Sequence, residues 1–139
     1  MAKLSIVISA FNEEKKIENC LKSASFADEL VVVDNSSTDK TVELARKYTK
    51  YVYTQQNDPS SIDTQKNFGI EKATGDWIFI LDADEEVTSE LKDEILKSIA
   101  EEQKISAFWI PRKNIIFGRW LAHTGWYPDN QLRLFRKGK

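Results

Sequence analysis

Short apolar runs alternate with longer amphipathic stretches along most of the chain. Four runs are rich in β-branched or aromatic residues, namely "LSIVIS" (4–9), "ELVVV" (29–33), "YVYT" (51–54) and "DWIFILDAD" (76–84). Runs of this length and composition predict strands buried in a sheet. The stretches that follow them carry apolar residues at helical spacing. This alternation predicts an α/β fold with right-handed crossovers, a mostly parallel central sheet and helices on both of its faces.

Residues that favour helix ends set the predicted boundaries of four helices. The predicted helix starts are Asn12, Thr38 or Asp39, Ile62, and Thr88 or Ser89. The first helix is expected to reach about residue 24 and the second about Tyr48. The third would end at Gly75, and the fourth would place Leu91, Ile95 and Ile99 on its core side.

Polar segments follow the first, second and fourth predicted strands. They cover residues 9–13, 34–39 and 82–86. In open parallel sheets, ligands bind outside the carboxyl ends of the strands. We therefore expect the three segments to converge on one binding site at one edge of the sheet.

The third polar segment, "DADEE", places four carboxylates directly after an apolar run. Like charges at this density repel unless a cation lies between them. Oxygen ligands without a nearby His or Cys favour Mg²⁺ or Mn²⁺, which usually complete their coordination with substrate phosphates. The segment "DNSSTDK" would offer N–H groups and hydroxyls to a nucleotide. Each segment alone also fits an ordinary turn or helix start, but together they predict a nucleotide and metal site.

The ordered set "SIVISAFNEE", "ELVVVDNSSTDKT" and "QKNFGIEKATGDWIFILDADEE" resembles glycosyltransferase family 2. The resemblance is dense over residues 3–90 and looser in "YPDNQLRLFRK", and its details are similar to the branch that attaches a sugar to the lipopolysaccharide inner core. It implies the GT-A fold, a Rossmann-type α/β/α sandwich. It also implies inverting transfer from a nucleotide sugar, most often UDP-linked, to a glycan or glycolipid acceptor, with Mg²⁺ or Mn²⁺ on the diphosphate.

The same resemblance implies roles for individual residues. The positions that match the nucleotide-binding motifs are Ser9, Phe11, Glu13, Asp34, Asn35, Lys66, Asn67 and Asp82. Asn35 stands where the family usually has the second acid of a "DD" pair, and its amide would still bond a base edge. Asp82 and Asp84 match the metal-binding triplet, with Asp84 the more direct ligand.

Inverting transfer also needs a general base for the acceptor hydroxyl. Asp129 is the only acid after Glu102 in the sequence. The segment "PDNQLRL" that contains it stands in the place of the family's "ED…LR" motif. We therefore predict Asp129 as the catalytic base, with His123 as the other titratable candidate.

Charge is distributed unevenly over a net balance of −2. Residues 1–110 carry a balance of −8 and residues 111–139 a balance of +6. The basic segment contains aromatic residues, Trp120, Trp126, Tyr127 and Phe135. This combination suits an anionic acceptor at the inner membrane surface, or else the aromatics belong to the core of the second half. The acidic body gives little support to nucleic-acid binding.

Length and composition predict one domain over residues 1–139, with a donor-binding half (1–104) and part of an acceptor half (105–139). We expect a truncated form, because the chain is short for a GT-A domain and ends soon after the base motif. The single cysteine, Cys20, excludes an internal disulfide framework and is expected on a helix as a small apolar residue. No signal peptide or membrane span is predicted, so we expect a cytoplasmic protein.

Two other classes of function fit parts of the pattern. A non-catalytic nucleotide-binding module would keep both acidic segments without turnover. A nucleotidyltransferase also carries acids on a parallel sheet, but it normally has a glycine-rich loop after the first strand. The corresponding segment here, "SAFNEEKK", contains no glycine.

Overall fold

The computed structural model of the chain describes residues 3–55, 68–100, 107–111, 115–117 and 130–137. The strands in these ranges are β1 (Leu4–Ala10), β2 (Glu29–Asp34), β3 (Val52–Thr54), β4 (Trp77–Asp82), β5 (Glu85–Val87), β6 (Ala107–Pro111), β7 (Ile115–Phe117) and β8 (Asn130–Arg136). The helices are α1 (Ile17–Ser23), α2 (Thr41–Ala45), α3 (residues 68–72) and α4 (Ser89–Ala100). Within this part of the chain, no helix is long and apolar enough to cross a membrane.

The main sheet has the order β3-β2-β1-β4-β8-β6 in the described residues. The first four strands in this order are parallel, whereas β8 is antiparallel to both β4 and β6. A separate antiparallel pair is formed by β5 and β7. The prediction of an α/β fold with a mostly parallel central sheet is confirmed.

The two faces of the main sheet bury different sets of side chains. Along β4, Trp77, Phe79 and Leu81 belong to a large cluster that includes residues of α1, α2 and α4. Ile78 and Ile80 belong to a smaller cluster on the other face, together with residues of and just after α3. Each large apolar side chain buried in this way contributes about 1.5–3 kcal/mol. Helices therefore cover both faces, as the alternating pattern predicts.

The predicted start of the first helix is wrong. Asn12 has a φ of 51°, in the left-handed region, and α1 begins only at Ile17. The Asn12 side chain instead accepts a hydrogen bond from the Thr38 N–H at 2.8 Å. The intervening turn is closed by the Lys16 and Ile17 N–H groups, which both donate to the Glu13 carbonyl.

The other helix predictions hold in part. Asp39 accepts from the Thr41 N–H at 2.9 Å and so opens α2, but this helix ends at Ala45 and not near Tyr48. The described part of α3 ends at residue 72, before Gly75. Thr88 accepts from the Leu91 N–H at 3.1 Å and opens α4 as predicted. The three core positions predicted for this helix, Leu91, Ile95 and Ile99, are buried.

Two glycines allow close approaches between the α3 segment and the sheet. A Cβ on Gly69 would lie 2.5 Å from Val7 Cγ1 and 2.9 Å from Val33 Cγ2. A Cβ on Gly75 would lie 2.5 Å from Ser5 Oγ and within 2.9 Å of backbone atoms. Glycine at these positions lets the chain lie directly on the sheet before it enters β4.

Candidate functional site

The carboxyl ends of β1, β2 and β4 lie side by side, with β1 in the middle. The register pairs Ala10 of β1 with Asp34 of β2, and Ser9 of β1 with Asp82 of β4. Asp34 and Asp82 therefore flank the end of β1 on opposite sides. The predicted convergence of three polar segments on one edge of the sheet is confirmed.

Hydrogen bonds join the loop after β1 to the loop after β2. The Asn12 N–H donates to Ser37 Oγ at 2.8 Å, and Asn12 Oδ1 accepts from the Thr38 N–H. The first loop also carries Phe11, which is exposed, and Glu13, which is half-buried. Both predicted nucleotide-binding residues are thus held beside the second polar segment.

Asp39 ties the start of α2 to the same loop. Its carboxylate accepts hydrogen bonds from the N–H and hydroxyl of Thr41, and from the Glu14 N–H at 3.3 Å. Burial raises the pKa of Asp39, but these bonds outweigh burial and place the pKa below its ordinary value. The carboxylate is therefore ionised near neutral pH, which keeps both loops joined.

The Asp34 carboxylate is used inside the protein. It is buried, and it accepts from the Ser37 N–H at 2.9 Å and from the Ser37 hydroxyl at 2.5 Å. Ser36, within this turn, has a φ of 64°, in the left-handed region. The bonds from Ser37 to the Asp34 side chain close the turn around it and stabilise this conformation. A direct contact between Asp34 and a nucleotide stays a prediction.

Asn35 presents a different arrangement. Its side chain is buried and its Nδ2 donates to the Ala10 carbonyl, whereas its Oδ1 has no hydrogen-bond partner among the described residues. Ser9 Oγ and Gln55 Oε1 are likewise buried without partners in the described part of the chain. Buried polar atoms of this kind are rare in native proteins and need a reason. A ligand that donates hydrogen bonds at this edge would supply it.

Gln55 is a candidate site residue that none of the sequence motifs includes. It follows β3 directly, and its N–H donates to the Asp34 carbonyl at 2.7 Å, so it stands at the same edge as Asn35. The available signal was its place, since a polar residue after the third parallel strand lies at the carboxyl edge like those after the first two.

The turn that carries Asp82 and Asp84 is fixed at several points. The Asp82 N–H donates to Glu85 Oε1 at 2.8 Å, and the Ala83 N–H donates to the Ser9 carbonyl at 2.9 Å. Ala83 and Glu85 are buried, whereas Asp82 and Asp84 are half-buried. The alternation leaves the carboxylates of both aspartates on the more accessible side of the turn.

Cys20 lies behind this turn. It is buried on α1, as expected, and its thiol donates to the Asp82 carbonyl at 3.5 Å. Burial, followed by the negative charges of the turn with Glu85 first, raises the pKa of the Cys20 thiol well above its ordinary value. The thiol therefore stays neutral, and the turn is a strongly negative region.

A divalent ion fits the residues of this turn only with help from a substrate. Within the described residues, no group of three or more His, Cys, Asp or Glu is arranged to hold a metal ion. Asp82 and Asp84 offer two accessible carboxylates, and Mg²⁺ typically takes one or two carboxylates together with phosphate oxygens and waters. The donor set therefore fits Mg²⁺ or Mn²⁺ bound together with a diphosphate.

Several predicted site residues lie outside the described ranges. They are Lys66, Asn67, His123 and Asp129. Their predicted roles in diphosphate binding and in base catalysis stay predictions.

A family model described as glycosyl transferase family 2 matches residues 5–139. The chain belongs to glycosyltransferase family 2. Its parallel strands, antiparallel β8 and acidic turn after β4 are those of a GT-A fold, and the solved structures that it resembles are GT-A glycosyltransferases.

Three relatives of this family 2 chain show the range of the similarity. The lipopolysaccharide core biosynthesis glycosyltransferase LpsC of Rhizobium meliloti strain 1021 is 29% identical over 98% of the chain. The S. aureus TarS fragment 1–349 in complex with UDP-GlcNAc has a TM-score of 0.61 at 20% identity and covers 92% of the chain. The mannosyltransferase PcManGT from Pyrobaculum calidifontis, in complex with GDP-Man and Mn²⁺, has a TM-score of 0.65 at 22% identity and covers 76%.

The chain is shorter than these relatives. It spans 52% of LpsC, 49% of the TarS chain and 34% of the PcManGT chain. The comparisons therefore establish the family and the fold.

Proposed function

We propose that this family 2 member transfers a sugar, with inversion, from a UDP-sugar to a glycan or glycolipid acceptor. One observation supports this best: the end of β1 lies between the acidic turn of Asp82 and Asp84 and the buried amide oxygen of Asn35, which has no partner in the described ranges. A nucleoside diphosphate has a hydrogen-bond donor on its base and negative charge on its phosphates. The Asn35 side of this edge matches the base, and the acidic side matches the phosphates when a divalent cation lies between the carboxylates and the phosphate oxygens.

The donor would lie across the ends of β2, β1 and β4. Asn35, with Ser9 and Gln55 nearby in the sheet order, would accept hydrogen bonds from the nucleoside, and exposed Phe11 would cover it. Asp82 and Asp84 would hold Mg²⁺ or Mn²⁺ against the diphosphate. When bound, this ion stabilises the negative charge that develops on the leaving UDP. Lys66 and Asn67 would contact the phosphates in the same proposal.

The acceptor would be activated from another segment. Asp129 precedes β8, which is antiparallel to β4, and it would take the proton of the acceptor hydroxyl on the face of the sugar opposite the leaving group. We assign the donor half to residues 1–104 and part of the acceptor half to residues 105–139. The similarity to LpsC supports a lipopolysaccharide core acceptor, and the sequence resemblance narrows the proposal to the inner core.

The acceptor proposal includes a site at the cytoplasmic face of the membrane. The basic segment supports it through its balance of +6. Phe135 is half-buried and packs against the smaller core cluster, which leaves less of it for such a surface. A membrane contact would then rest mainly on Trp120, Trp126 and Tyr127, which lie outside the described residues.

A panel of nucleotide sugars tests the donor class. The unfolding temperature of the protein is measured with UDP-, GDP- and ADP-sugars, each with and without Mn²⁺. A ligand that binds the native state raises this temperature by mass action. We expect the UDP-sugars to stabilise most and Mn²⁺ to increase the effect. Stabilisation by none of the panel would overturn the proposal, and binding without UDP release in the presence of acceptor would favour the non-catalytic module.

A further inference from the structure

A buried ion pair connects the acidic turn to β8. Glu85 Oε1 accepts from Arg133 Nη1 at 2.6 Å, and Glu85 Oε2 accepts from Arg133 Nη2 at 2.9 Å. Glu85 is fully buried and Arg133 is 4% exposed. The two residues are 48 positions apart in the sequence, and their pairing is bidentate, which fixes the relative orientation of the two side chains.

The same arginine continues the contact between β4 and β8 where the strand ladder stops. The described register of the two strands ends at the pair Phe79 and Leu134. At the next position, Arg133 Nη1 donates to the Ile80 carbonyl at 3.2 Å. The guanidinium therefore bonds both to the backbone of β4 and to the turn that follows it.

Glu85 Oε1 has two roles at once. It accepts from Arg133 and also from the N–H of Asp82, one of the two proposed metal ligands. Because one oxygen joins the two groups, a shift of Arg133 would move the backbone of Asp82. The guanidinium also neutralises the Glu85 carboxylate, which otherwise would compete with Asp82 and Asp84 for a cation.

We propose that Glu85 and Arg133 are positioning residues that hold the Asp82–Asp84 turn in the geometry needed to bind a divalent cation with the donor diphosphate. This inference rests on the proposed function, because it takes the metal role of Asp82 and Asp84 from it. Burial alone does not explain the pair, since apolar side chains of similar volume often fill such a space equally well. The ion pair supplies what an apolar pair lacks, namely an acceptor held against the Asp82 N–H.

Two double variants separate positioning from stability. Glu85→Gln with Arg133→Met removes both charges but keeps an amide oxygen that can accept from the Asp82 N–H. Glu85→Leu with Arg133→Met removes both charges and the acceptor. Neither variant leaves an unpaired buried charge, and they differ only at residue 85. Arg133→Lys, which keeps the charge but not the bidentate bond, is a third variant in case a double variant does not fold.

UDP affinity is measured by calorimetry with and without Mn²⁺, alongside the unfolding temperature of each variant. We expect Glu85→Leu/Arg133→Met to lose about 10–100-fold of its Mn²⁺-dependent affinity, as found when groups that orient metal ligands are removed. Its affinity for UDP without metal should be unchanged. Glu85→Gln/Arg133→Met and Arg133→Lys should lose less.

The outcomes distinguish this inference from the proposed function. If Asp84→Asn abolishes Mn²⁺-dependent binding while the folded Glu85 and Arg133 variants bind as the unsubstituted protein does, the pair is only structural and the inference is wrong. If the unsubstituted protein binds UDP equally with and without Mn²⁺, the metal role itself is wrong and the inference fails with it.

Discussion

The backbone N–H and the side-chain Nδ2 of Asn35 both donate to the carbonyl oxygen of Ala10, at 2.9 and 3.2 Å. This double contact fixes the amide with its nitrogen toward β1. The remaining oxygen, Oδ1, is buried without a partner in the part of the chain that the structure describes, so it is oriented as an acceptor before any ligand arrives. An aspartate in the same conformation would place a carboxylate oxygen against the Ala10 carbonyl, and the two acceptor oxygens would repel each other. The asparagine amide, which donates there, therefore suits this position.

Asn35→Ala is expected to weaken UDP binding about tenfold, because a net hydrogen bond contributes about 1 kcal/mol and a buried unpaired group costs more. Calorimetry measures the affinity with and without Mn²⁺, and the ratio of the two should not change. UDP methylated at N3 of uracil should bind the unsubstituted protein more weakly than UDP does. The Asn35→Ala variant should bind the methylated and the unmethylated UDP equally well. Asn19→Ala, at an exposed position of α1, is the control. If both proteins discriminated equally between UDP and its N3-methylated form, Asn35 Oδ1 would not be the acceptor for the base.

Asp84→Asn is expected to lower the Mn²⁺-dependent affinity for UDP by at least about tenfold, and Asp82→Asn is expected to lower it less. Both changes keep the side-chain shape and delete one charge of the half-buried turn. Titration of UDP with and without EDTA measures the effect. Asp93→Asn, at an exposed position of α4, should have none. UDP affinity that is insensitive to EDTA and to both substitutions would show that the turn binds no metal.

The four parallel strands β1 to β4, the sheet class and the edge that carries the candidate site could be predicted from local sequence, whereas β5 to β8 were not predicted. Runs such as "LSIVIS" leave few alternatives, because they are apolar on both faces and too short for most helices. The position of Asp34 and Asp82 then follows from where the strands end. Thr88 was also predictable, because its hydroxyl bonds an N–H only three residues away.

Features made by contacts distant in sequence were not predictable. Asn12 looks like a helix cap, but its bonds to Ser37 and Thr38, 25 and 26 residues away, hold it in the left-handed region. Glu85 looks like one more acid in an acidic turn, but in the fold it is buried and paired with Arg133, which separates it from the two aspartates. Local propensity contains no information about either partner.

Gly75→Ala is expected to destabilise the protein by about 1–3 kcal/mol, and Gly69→Ala by less, because overpacking forces neighbouring atoms to move. A Cβ at Gly75 would meet Ser5 Oγ and backbone atoms of Lys3 and Ser5, whereas the nearest atoms to a Cβ at Gly69 would be side-chain atoms of Val7 and Val33. Urea unfolding monitored by tryptophan fluorescence measures the difference. Glu71→Ala, at an exposed position of α3, is the matched control. The reverse order of stability would contradict this account of the two glycines.

Glu29→Gln is expected to reduce the loss of stability in acid. Burial raises the pKa of Glu29, but hydrogen bonds from Ser5 and Thr74 outweigh burial and lower the pKa below its ordinary value of 4.5. A carboxylate whose pKa is lowered in the folded protein stabilises the fold at pH values above its ordinary pKa. This stability is lost as the pH falls through the lowered pKa of the folded state. Urea unfolding at steps from about pH 6 to about pH 3 should therefore give a shallower decline for the variant.

The control for this pH effect is Glu43→Gln, at an exposed position of α2, which should decline like the unsubstituted protein. Asp39, whose pKa is also lowered, would keep part of the acid sensitivity in both variants. A Glu29→Gln protein with an unchanged pH profile would mean that the Glu29 network does not titrate within this range.

Asp129→Asn is expected to lower the transfer rate about 10²–10⁴-fold, as loss of a general base does, while the dissociation constant of the UDP-sugar stays within a few-fold. The rate should change without the affinity because a base must act on the acceptor, opposite the leaving UDP and away from Asp82 and Asp84. Sugar transfer and calorimetry on the same preparation measure the two quantities, and His123→Asn tests the other candidate. If Asp129 instead pairs with an arginine of its basic segment, the variant would melt earlier but keep its rate per folded molecule.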